Sequence, residues 1–216
     1  MLVDQFPLVG LTLRTPRLEL RLPSPEELAA LASLAAQGIH EPGACPFLTP
    51  WTENPPEEVA RSVVLYHWRE LGAFTAQKWH LNLTVFHDGE VVGQQDISGT
   101  DFPVTRQVNT GSWLGRRHQG NGIGTEMRAA VLQLAFEGLG AEVAASAAMV
   151  DNPASLGVSR KLGYVPNGLG RNAVQGGVRV DQKLLLTREA WEQHRTVPVA
   201  IEGLEPCLPL LGLKDS

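Results

Sequence analysis

The chain has 216 residues, of which 43% are hydrophobic and 19% are charged, so one sizeable globular domain with its own core is expected. A formal net charge of -5, without basic runs, argues against general binding to nucleic acid. The sequence shows no signal-peptide pattern and no apolar run of membrane-spanning length, and its two cysteines lack metal-ligand spacing, so we expect a cytoplasmic protein that binds neither membrane nor metal.

The first predicted elements are a strand and a helix. A strand with one buried face is predicted over residues 12–22, where leucines alternate with polar residues. The segment Ser24-Pro25-Glu26-Glu27 then predicts a helix start. Serine is a common N-cap, proline suits the first helical position, and the second glutamate completes a capping box. This helix is expected to run to about Gln37, where Gly38 ends it.

The middle of the chain is predicted to form a second helix and three strands. Asn54-Pro55-Pro56-Glu57 repeats the helix start signal, and Asp88-Gly89 between apolar segments favours a hairpin turn. The predicted elements are a loop over residues 38–53, a helix from about Pro56 to Leu71, and strands over residues 79–86, 91–97 and 107–114.

In the C-terminal half, single strands alternate with helices, which together with the hairpin predicts an α/β fold. We expect one domain over residues 1–195, with a mixed, mostly antiparallel central sheet and helices on both faces. Residues 196–216 are predicted to be a tail that packs on the domain or at a subunit interface. The predicted elements are a helix over residues 122–137, a strand over 143–150, a helix over 152–162, a strand from Tyr164, a last strand over 180–186 and a helix over 188–194.

The segment from Gln119 to Met127 is the strongest functional signal, because it has three glycines within five positions, between a predicted strand and a long helix. Glycines let backbone amides approach a ligand, and the positive end of the helix favours an anion there. A phosphate or pyrophosphate is the natural ligand. No lysine follows the glycines as in a P-loop, and the spacing is not that of a dinucleotide fingerprint. A connecting turn without a ligand is the alternative.

Two motifs resemble one known family. Gln119-x-x-Gly122-x-Gly124 resembles the Q/R-x-x-G-x-G/A loop with which GCN5-related N-acetyltransferases (GNAT) hold the pyrophosphate of coenzyme A. The segment from Asn152 to Tyr164 is similar to the N-x-x-S-x-x-V-x-x-K-L-G-Y/F stretch of the same family. The opening Thr15-Pro16-Arg17-Leu18-Glu19-Leu20-Arg21 and the surroundings of the glycines look most like the RimJ/RimL-type branch. The resemblance covers about residues 12–194.

The resemblance implies an N-acetyltransferase that moves an acetyl group from acetyl-CoA, as co-substrate, to a primary amine. The amine would attack the thioester directly in a ternary complex, and the acceptor is a protein N-terminus or a small molecule. Similar proteins are often homodimers. A catalytically silent acyl-CoA-binding regulatory module is the alternative. The residues implied in cofactor binding are Trp113, Leu114, Gln119, Gly120, Asn121, Gly122, Ile123, Gly124, Thr125, Asn152 and Ser155.

Two residues are predicted to be catalytic. Ser159 occupies the position where many family members carry a tyrosine that protonates the departing thiolate, although a helix-surface serine is the plain alternative. A glutamate often serves as base in the family, but its position here holds Asn109, which cannot take a proton. We therefore predict Asp96 as the base, with a solvated-face carboxylate as the alternative. The other candidate bases are Asp101, His80 and Glu126. The loops 40–53 and 167–177 are expected to flank the acceptor mouth.

Overall fold

A computed structural model describes residues 1–213, and within them nine strands form one sheet. The strand order is β7-β8-β6-β5-β4-β3-β2-β1-β9, and each neighbouring pair is antiparallel except β5 and β6, which are parallel. The mixed, mostly antiparallel sheet predicted from the sequence is confirmed. The strands are β1 (Thr12–Arg14), β2 (Leu18–Arg21), β3 (Lys78–His87), β4 (Glu90–Thr100), β5 (Gln107–Leu114), β6 (Val143–Met149), β7 (Val165–Val174), β8 (Gly177–Thr187) and β9 (Ala200–Glu202).

Helices cover both faces of the sheet, as predicted. Val91 and Trp113 pack with the second and third helices, whereas their chain neighbours Val92 and Leu114 belong to the larger core on the other face. This division follows from the alternation of side chains along a strand. The α-helices are α1 (Leu2–Gln5), α2 (Pro25–Ala36), α3 (Pro56–Gly72), α4 (Phe102–Thr105), α5 (Ile123–Gln133), α6 (Pro153–Lys161) and α7 (Arg188–His194).

Several local signals act as predicted. Ser24 Oγ accepts a hydrogen bond from the N–H of Glu27, and the Glu27 carboxylate accepts one from the N–H of Ser24, which completes the capping box. Asp88 and Gly89, between β3 and β4, both have positive φ, 51° and 78°. Two consecutive positive φ values are typical of the tight turns that suit the twist of a hairpin.

The single opening strand predicted over residues 12–22 is wrong, because the structure has two strands there. β1 and β2 form an antiparallel hairpin around Pro16, which has no N–H to donate to a continuous ladder. Thr15 closes the turn: its N–H donates to the carbonyl of Leu18 at 2.9 Å, and its hydroxyl accepts from the N–H of Leu18 at 2.9 Å.

The segment after residue 195 contributes to the sheet, so the strand predicted over 180–186 is not the last one. β9 pairs with β1, and a three-residue strand is too short to give a periodic signal. Cys207 and Leu211, which follow it, are completely buried in the main core. Residues 214–216 of the predicted tail lie outside the described residues. In the described part of the chain, no helix has both the length and the apolar character needed to cross a lipid bilayer.

β5 and β6 separate soon after they begin to pair. Their parallel register covers only Gln107–Asn109 on β5 and Val143–Ala145 on β6. From Thr110 onward, β5 pairs with β4 on one side only, while β6 continues along β8. The two strands therefore diverge, and a wedge opens between them in the middle of the sheet.

Candidate active site

A cavity of about 950 Å³ lies at this wedge. Residues from β4, β5 and β6, from the glycine-rich loop and from the start of α6 line it. The loop after α2 and the helix α3 close one side, with Phe47, Trp51 and Tyr66. This volume falls within the range of pockets that hold sizeable small-molecule ligands.

The glycine-rich loop presents a row of free backbone donors to this cavity. Within residues 1–213, no acceptor engages the N–H groups of residues 120–124, whereas those of Gln119 and Thr125 on either side are bonded to the carbonyls of Arg116 and Gly122. Gly120 and Gly122 both have φ near +80°, a region that other residues enter only with strain. Since α5 begins at Ile123, these amides and the helix terminus together favour an anionic ligand.

The turn between β1 and β2 holds this loop in position. Arg17 Nη1 donates to the carbonyl of Asn121 at 3.1 Å, and Arg17 Nε donates to Glu126 at 2.7 Å. The Thr15 hydroxyl donates to the same carboxylate at 2.6 Å. Burial favours the neutral form of Glu126, but the hydrogen bonds from Thr15 and Arg17 outweigh it and lower the pKa of this carboxyl. This ion pair makes Glu126 an anchor and a poor candidate base.

The side chain of Gln119 also forms hydrogen bonds within the protein. Its side-chain Nε2 donates to the carbonyl of Ile39 at 2.7 Å and to that of Leu114 at 3.0 Å. Both hydrogens of this amide are therefore occupied by backbone acceptors. The side chain ties the loop to the end of β5, and any contact of this residue with a ligand would fall to its other atoms.

Asn152 and Ser155 lie at the start of α6 and line the cavity. The side-chain oxygen of Asn152 accepts a hydrogen bond from the N–H of Ser155 at 3.1 Å, so the predicted N-cap is confirmed. Trp113 and Leu114, on the unpaired part of β5, line the same cavity. A row of aromatic rings leads from Trp113 through Trp51 to Phe47, with centroid separations of 6.1 and 5.4 Å.

Asp96 faces the cavity from β4, and neighbouring groups hold its carboxylate in place. Its Oδ1 accepts the N–H of Gly111 at 2.8 Å and lies 3.5 Å from Nε2 of His80. His80 Nδ1 is 3.4 Å from Glu70 Oε2 and 3.4 Å from the hydroxyl of Tyr66. Burial favours neutral His80, but the nearby Asp96 and Glu70 carboxylates prevail and raise its pKa.

The other candidate bases are less well placed. Asp101 is exposed and does not line the cavity. Asn109, which stands at the position of the usual glutamate but cannot take a proton, is also exposed and outside the cavity. Of the two loops that were expected to flank the acceptor mouth, the loop 40–53 contributes Phe47 and Trp51 to the cavity lining. No residue of the second segment, 167–177, lines the cavity.

Ser159 is placed differently from both interpretations of the sequence. It is completely buried, so the alternative of a helix-surface serine is wrong, and it does not line the cavity. Its Oγ lies 3.4 Å from Nη1 of Arg128, a buried arginine of α5 that does line the cavity. The sequence pattern gave no sign of Arg128, which lies in a helix interpreted as apolar over a wide arc. Proton donation by Ser159 remains a prediction, and this placement argues against it.

With this geometry established, comparisons with known proteins place the chain in a family. The family model described as "Acetyltransferase (GNAT) domain" matches residues 17–165, which is more than half of the chain. The chain therefore belongs to the GNAT acetyltransferase family.

Individual relatives agree with this assignment. A Bacillus subtilis (strain 168) protein provisionally named ribosomal N-acetyltransferase YdaF is 27% identical over 180 residues, which are 82% of this chain and 94% of the relative. The structure of Mycobacterium smegmatis RimJ in complex with CoA-disulfide has a TM-score of 0.67 at 20% identity and covers 88% of this chain and 92% of that one. A RimL structure, ribosomal L7/L12 alpha-N-protein acetyltransferase with coenzyme A, has a TM-score of 0.62 at 21% identity, covering 82% and 97%. The predicted GNAT N-acetyltransferase is confirmed, and the RimJ and RimL structures share its fold.

Proposed function

We propose that this protein transfers the acetyl group of acetyl-CoA to a primary amine by direct attack in a ternary complex, and that the amine is a protein N-terminus. The observation that carries the proposal is the row of free amides of residues 120–124 at the start of α5. Consecutive N–H groups and a helix terminus at one point suit a pyrophosphate. The name of the Bacillus subtilis relative supports the choice of a protein acceptor.

The wedge suits the extended arm of the same substrate. From Thr110 to Leu114 one edge of β5 has no strand partner. The carbonyls of Thr110 and Leu114 accept from the side chains of Ser146 and Gln119, and the remaining backbone groups of this edge would pair with the amide groups of a pantetheine chain. Trp113 and Leu114 line this edge, and Asn152 and Ser155 lie across the cavity on α6. A backbone N–H near Trp113 and Leu114 would also stabilise the negative charge that forms on the carbonyl oxygen during attack.

Asp96 is the proposed proton acceptor. An aliphatic amine with a pKa of about 10 is mostly protonated at neutral pH, so it must lose a proton before or during the attack. A carboxylate in the cavity both attracts the ammonium group and takes its proton, and His80 and Glu70 behind it form a route for the proton to leave.

Direct attack fits the placement of the two cysteines. Burial raises the pKa of the Cys207 thiol to about 11, which keeps it protonated and a poor nucleophile. Neither Cys207 nor Cys45 lines the cavity. The chain thus offers no cysteine that would carry the acetyl group in a covalent intermediate.

The glycine loop provides a test of coenzyme A binding. Gly122→Ala places a side chain at φ +80°, which an L residue adopts only with strain, while its Cβ makes an ordinary contact at 3.4 Å with the Arg17 guanidinium. A strain of about 1–2 kcal/mol corresponds to roughly a tenfold weaker affinity if the binding conformation is populated less. We expect this loss in calorimetric titration with coenzyme A.

Gly157→Ala in α6 is the matched control. No atom lies within 4 Å of its added Cβ and its φ is not positive, so we expect wild-type affinity. Absence of any heat of binding to the wild-type protein would remove the proposed function.

The acceptor is tested with a panel of peptides and small amines. Release of coenzyme A thiol is measured with N-terminal peptides, with the same peptides blocked at the α-amine, and with small primary amines. The proposal expects turnover with free peptide N-termini and loss on blocking. Turnover with small amines alone would reassign the acceptor, and tight binding of coenzyme A with no turnover across the panel would support a silent binding module.

A further inference from the structure

Arg128 is a buried cation at the wedge. It projects from α5, is 3% exposed and lines the cavity. Its Nη2 donates to the hydroxyl of Ser112 on β5 at 2.9 Å, and its Nη1 lies 3.3 Å from that of Ser146 on β6 and 3.4 Å from that of Ser159 on α6. Its Nε is buried and has no hydrogen-bond partner in the described chain.

The charge of this guanidinium is not balanced by an acid. Among residues 1–213, no carboxylate lies within 4.0 Å of it, and its partners are three neutral hydroxyl groups. Asp181 also lines the cavity, but its carboxylate accepts from the side chain of Asn172 at 2.6 Å. A buried charge is normally paired, so an unpaired one facing a cavity indicates an anion in the functional complex.

The position of Arg128 indicates which negatively charged group of the substrates it would contact. It follows Ile123 by five residues on α5, roughly 7 Å along the helix axis, so it lies away from the amides proposed for the pyrophosphate. Ser146 comes directly after Ala145, the last residue of β6 that pairs with β5. The guanidinium therefore lies where the strands separate, at the inner end of the wedge. Elsewhere in the cavity, the Asp96 carboxylate favours a cation.

We propose that Arg128 stabilises the coenzyme A thiolate as it leaves. This inference rests on the proposed function. In the step concerned, the amine nitrogen forms a bond to the thioester carbon, the amine proton passes to Asp96, and the carbon–sulfur bond breaks with its electron pair on sulfur. The positive charge of Arg128 lowers the energy of that anion without giving up a proton, and the thiolate takes a proton from solvent after release. Ser159 then orients the guanidinium and does not act as the acid.

The inference is tested on the wild-type protein by comparing coenzyme A with desulfo-coenzyme A, which lacks the thiol. Free thiols ionise near pH 8.5, and an adjacent buried cation lowers this value. We expect the thiol of bound coenzyme A to ionise at least about one pH unit lower, seen as thiolate absorbance between about pH 6 and 10. Above this lowered pKa, coenzyme A should bind more tightly than desulfo-coenzyme A.

Substitutions of Arg128 distinguish an effect of its charge on the thiol from a structural role of its side chain. With Arg128→Gln and Arg128→Met the thiol should ionise as in solution, the difference between the two ligands should vanish, and kcat should fall about a hundredfold. Affinity for desulfo-coenzyme A and the midpoint of thermal unfolding should not fall, because removing the desolvation cost of an unpaired buried charge offsets the loss of its hydrogen bonds to the three serines. Arg128→Lys should restore part of the shift. Arg61→Gln, which removes an exposed positive charge from α3, is the matched control.

The outcomes distinguish this inference from the function on which it rests. Equal affinity of the wild-type protein for both ligands over the whole pH range, with an unshifted thiol, overturns the role of Arg128 and leaves acetyl transfer intact. Failure of both ligands to bind removes the proposed function itself. A variant that loses desulfo-coenzyme A affinity and unfolds at a lower temperature would show a structural role and overturn the inference.

Discussion

The carboxylate of Asp96 is held so that one oxygen is fixed and the side chain faces the cavity. The N–H of Gly111 fixes Oδ1, and a Cβ at position 111 would stand 2.7 Å from Oδ2, so only glycine leaves room for the carboxylate. His80 lies 3.5 Å from the same Oδ1 with a raised pKa.

Replacing Asp96 with asparagine should therefore change both the rate and its pH dependence. We expect kcat/KM to fall about 10²–10⁴-fold, as for loss of a general base. The rise of kcat/KM with pH should also move to lower pH, because the pKa of His80 falls when one of the two carboxylates that raise it against the effect of burial is removed. The measurement is a pH–rate profile of both proteins.

Asp101→Asn is the control for this experiment, since Asp101 is exposed and outside the cavity. It should leave the profile unchanged. An unchanged kcat and profile in Asp96→Asn would show that this carboxylate is not the base.

At the scale of elements, the β1–β2 turn and the first turn of α5 form one unit. Glu126 accepts hydrogen bonds from both Thr15 and Arg17, and Arg17 also holds the carbonyl of Asn121. The hairpin at one end of the sheet thereby determines the path of the glycine loop. This contact gives a physical reason for the Thr-Pro-Arg opening of the chain.

Glu126→Gln should weaken this unit. Loss of charge-assisted hydrogen bonds is expected to cost about 1–3 kcal/mol, towards the lower end because Arg17 is partly exposed and can be hydrated. Urea denaturation measures the loss, and coenzyme A affinity should fall with it. Glu137→Gln, at an exposed pair with Arg195, is the control and should cost less than about 1 kcal/mol. Equal losses in the two variants would contradict the proposed anchor.

The same carboxylate predicts the response to acid. Since the pKa of Glu126 is lowered on folding, its contribution to stability is complete above the usual value of 4.5 and is lost as the pH falls through the lowered value. The wild-type protein should lose this contribution below about pH 4.5, and Glu126→Gln should not.

Elements with strong local signals could be predicted from the sequence, and those determined by distant contacts could not. The strand 107–114 and the helix 188–194 match their predicted bounds, because a glycine-rich loop and a threonine cap mark their limits. The split at Pro16 was missed because leucines alternate on both sides of it. β9 was missed because only its pairing with β1 defines it.

Residues of the candidate site likewise fall into those that a local motif predicts and those that only distant contacts bring together. The glycine loop and the Asn152 cap are each formed by one contiguous segment, so a sequence motif can contain each of them. The surroundings of Asp96 and Arg128 are not contiguous: His80, Glu70 and Gly111 come from β3, α3 and β5, and the serines around Arg128 come from β5, β6 and α6. Only the fold brings these groups together.

At the scale of the whole molecule, few strand contacts join the two parts of the sheet. β6, β7 and β8 connect to the other strands through the three paired residues of β5 and β6. A ligand in the wedge would contact both parts at once. Binding to the folded state alone would then stabilise the protein.

Coenzyme A should therefore raise the midpoint of thermal unfolding. At a concentration of about 100 times the Kd, the stabilisation is expected to be about 2.7 kcal/mol. Differential scanning fluorimetry measures the shift, and ATP, which has phosphates but no pantetheine arm, is the control and should have a smaller effect. No shift at saturating coenzyme A would mean that the ligand does not bridge the wedge.

The unpaired guanidinium in the wedge has a consequence for protein engineering. A search for heat-resistant variants that ignores turnover should repeatedly recover leucine or methionine at position 128, since an apolar side chain suits a dry interior better than a lone cation. Such variants would unfold at a higher temperature and turn over more slowly than the natural protein. Arg128 would then mark a position at which thermal robustness and catalytic speed are opposed.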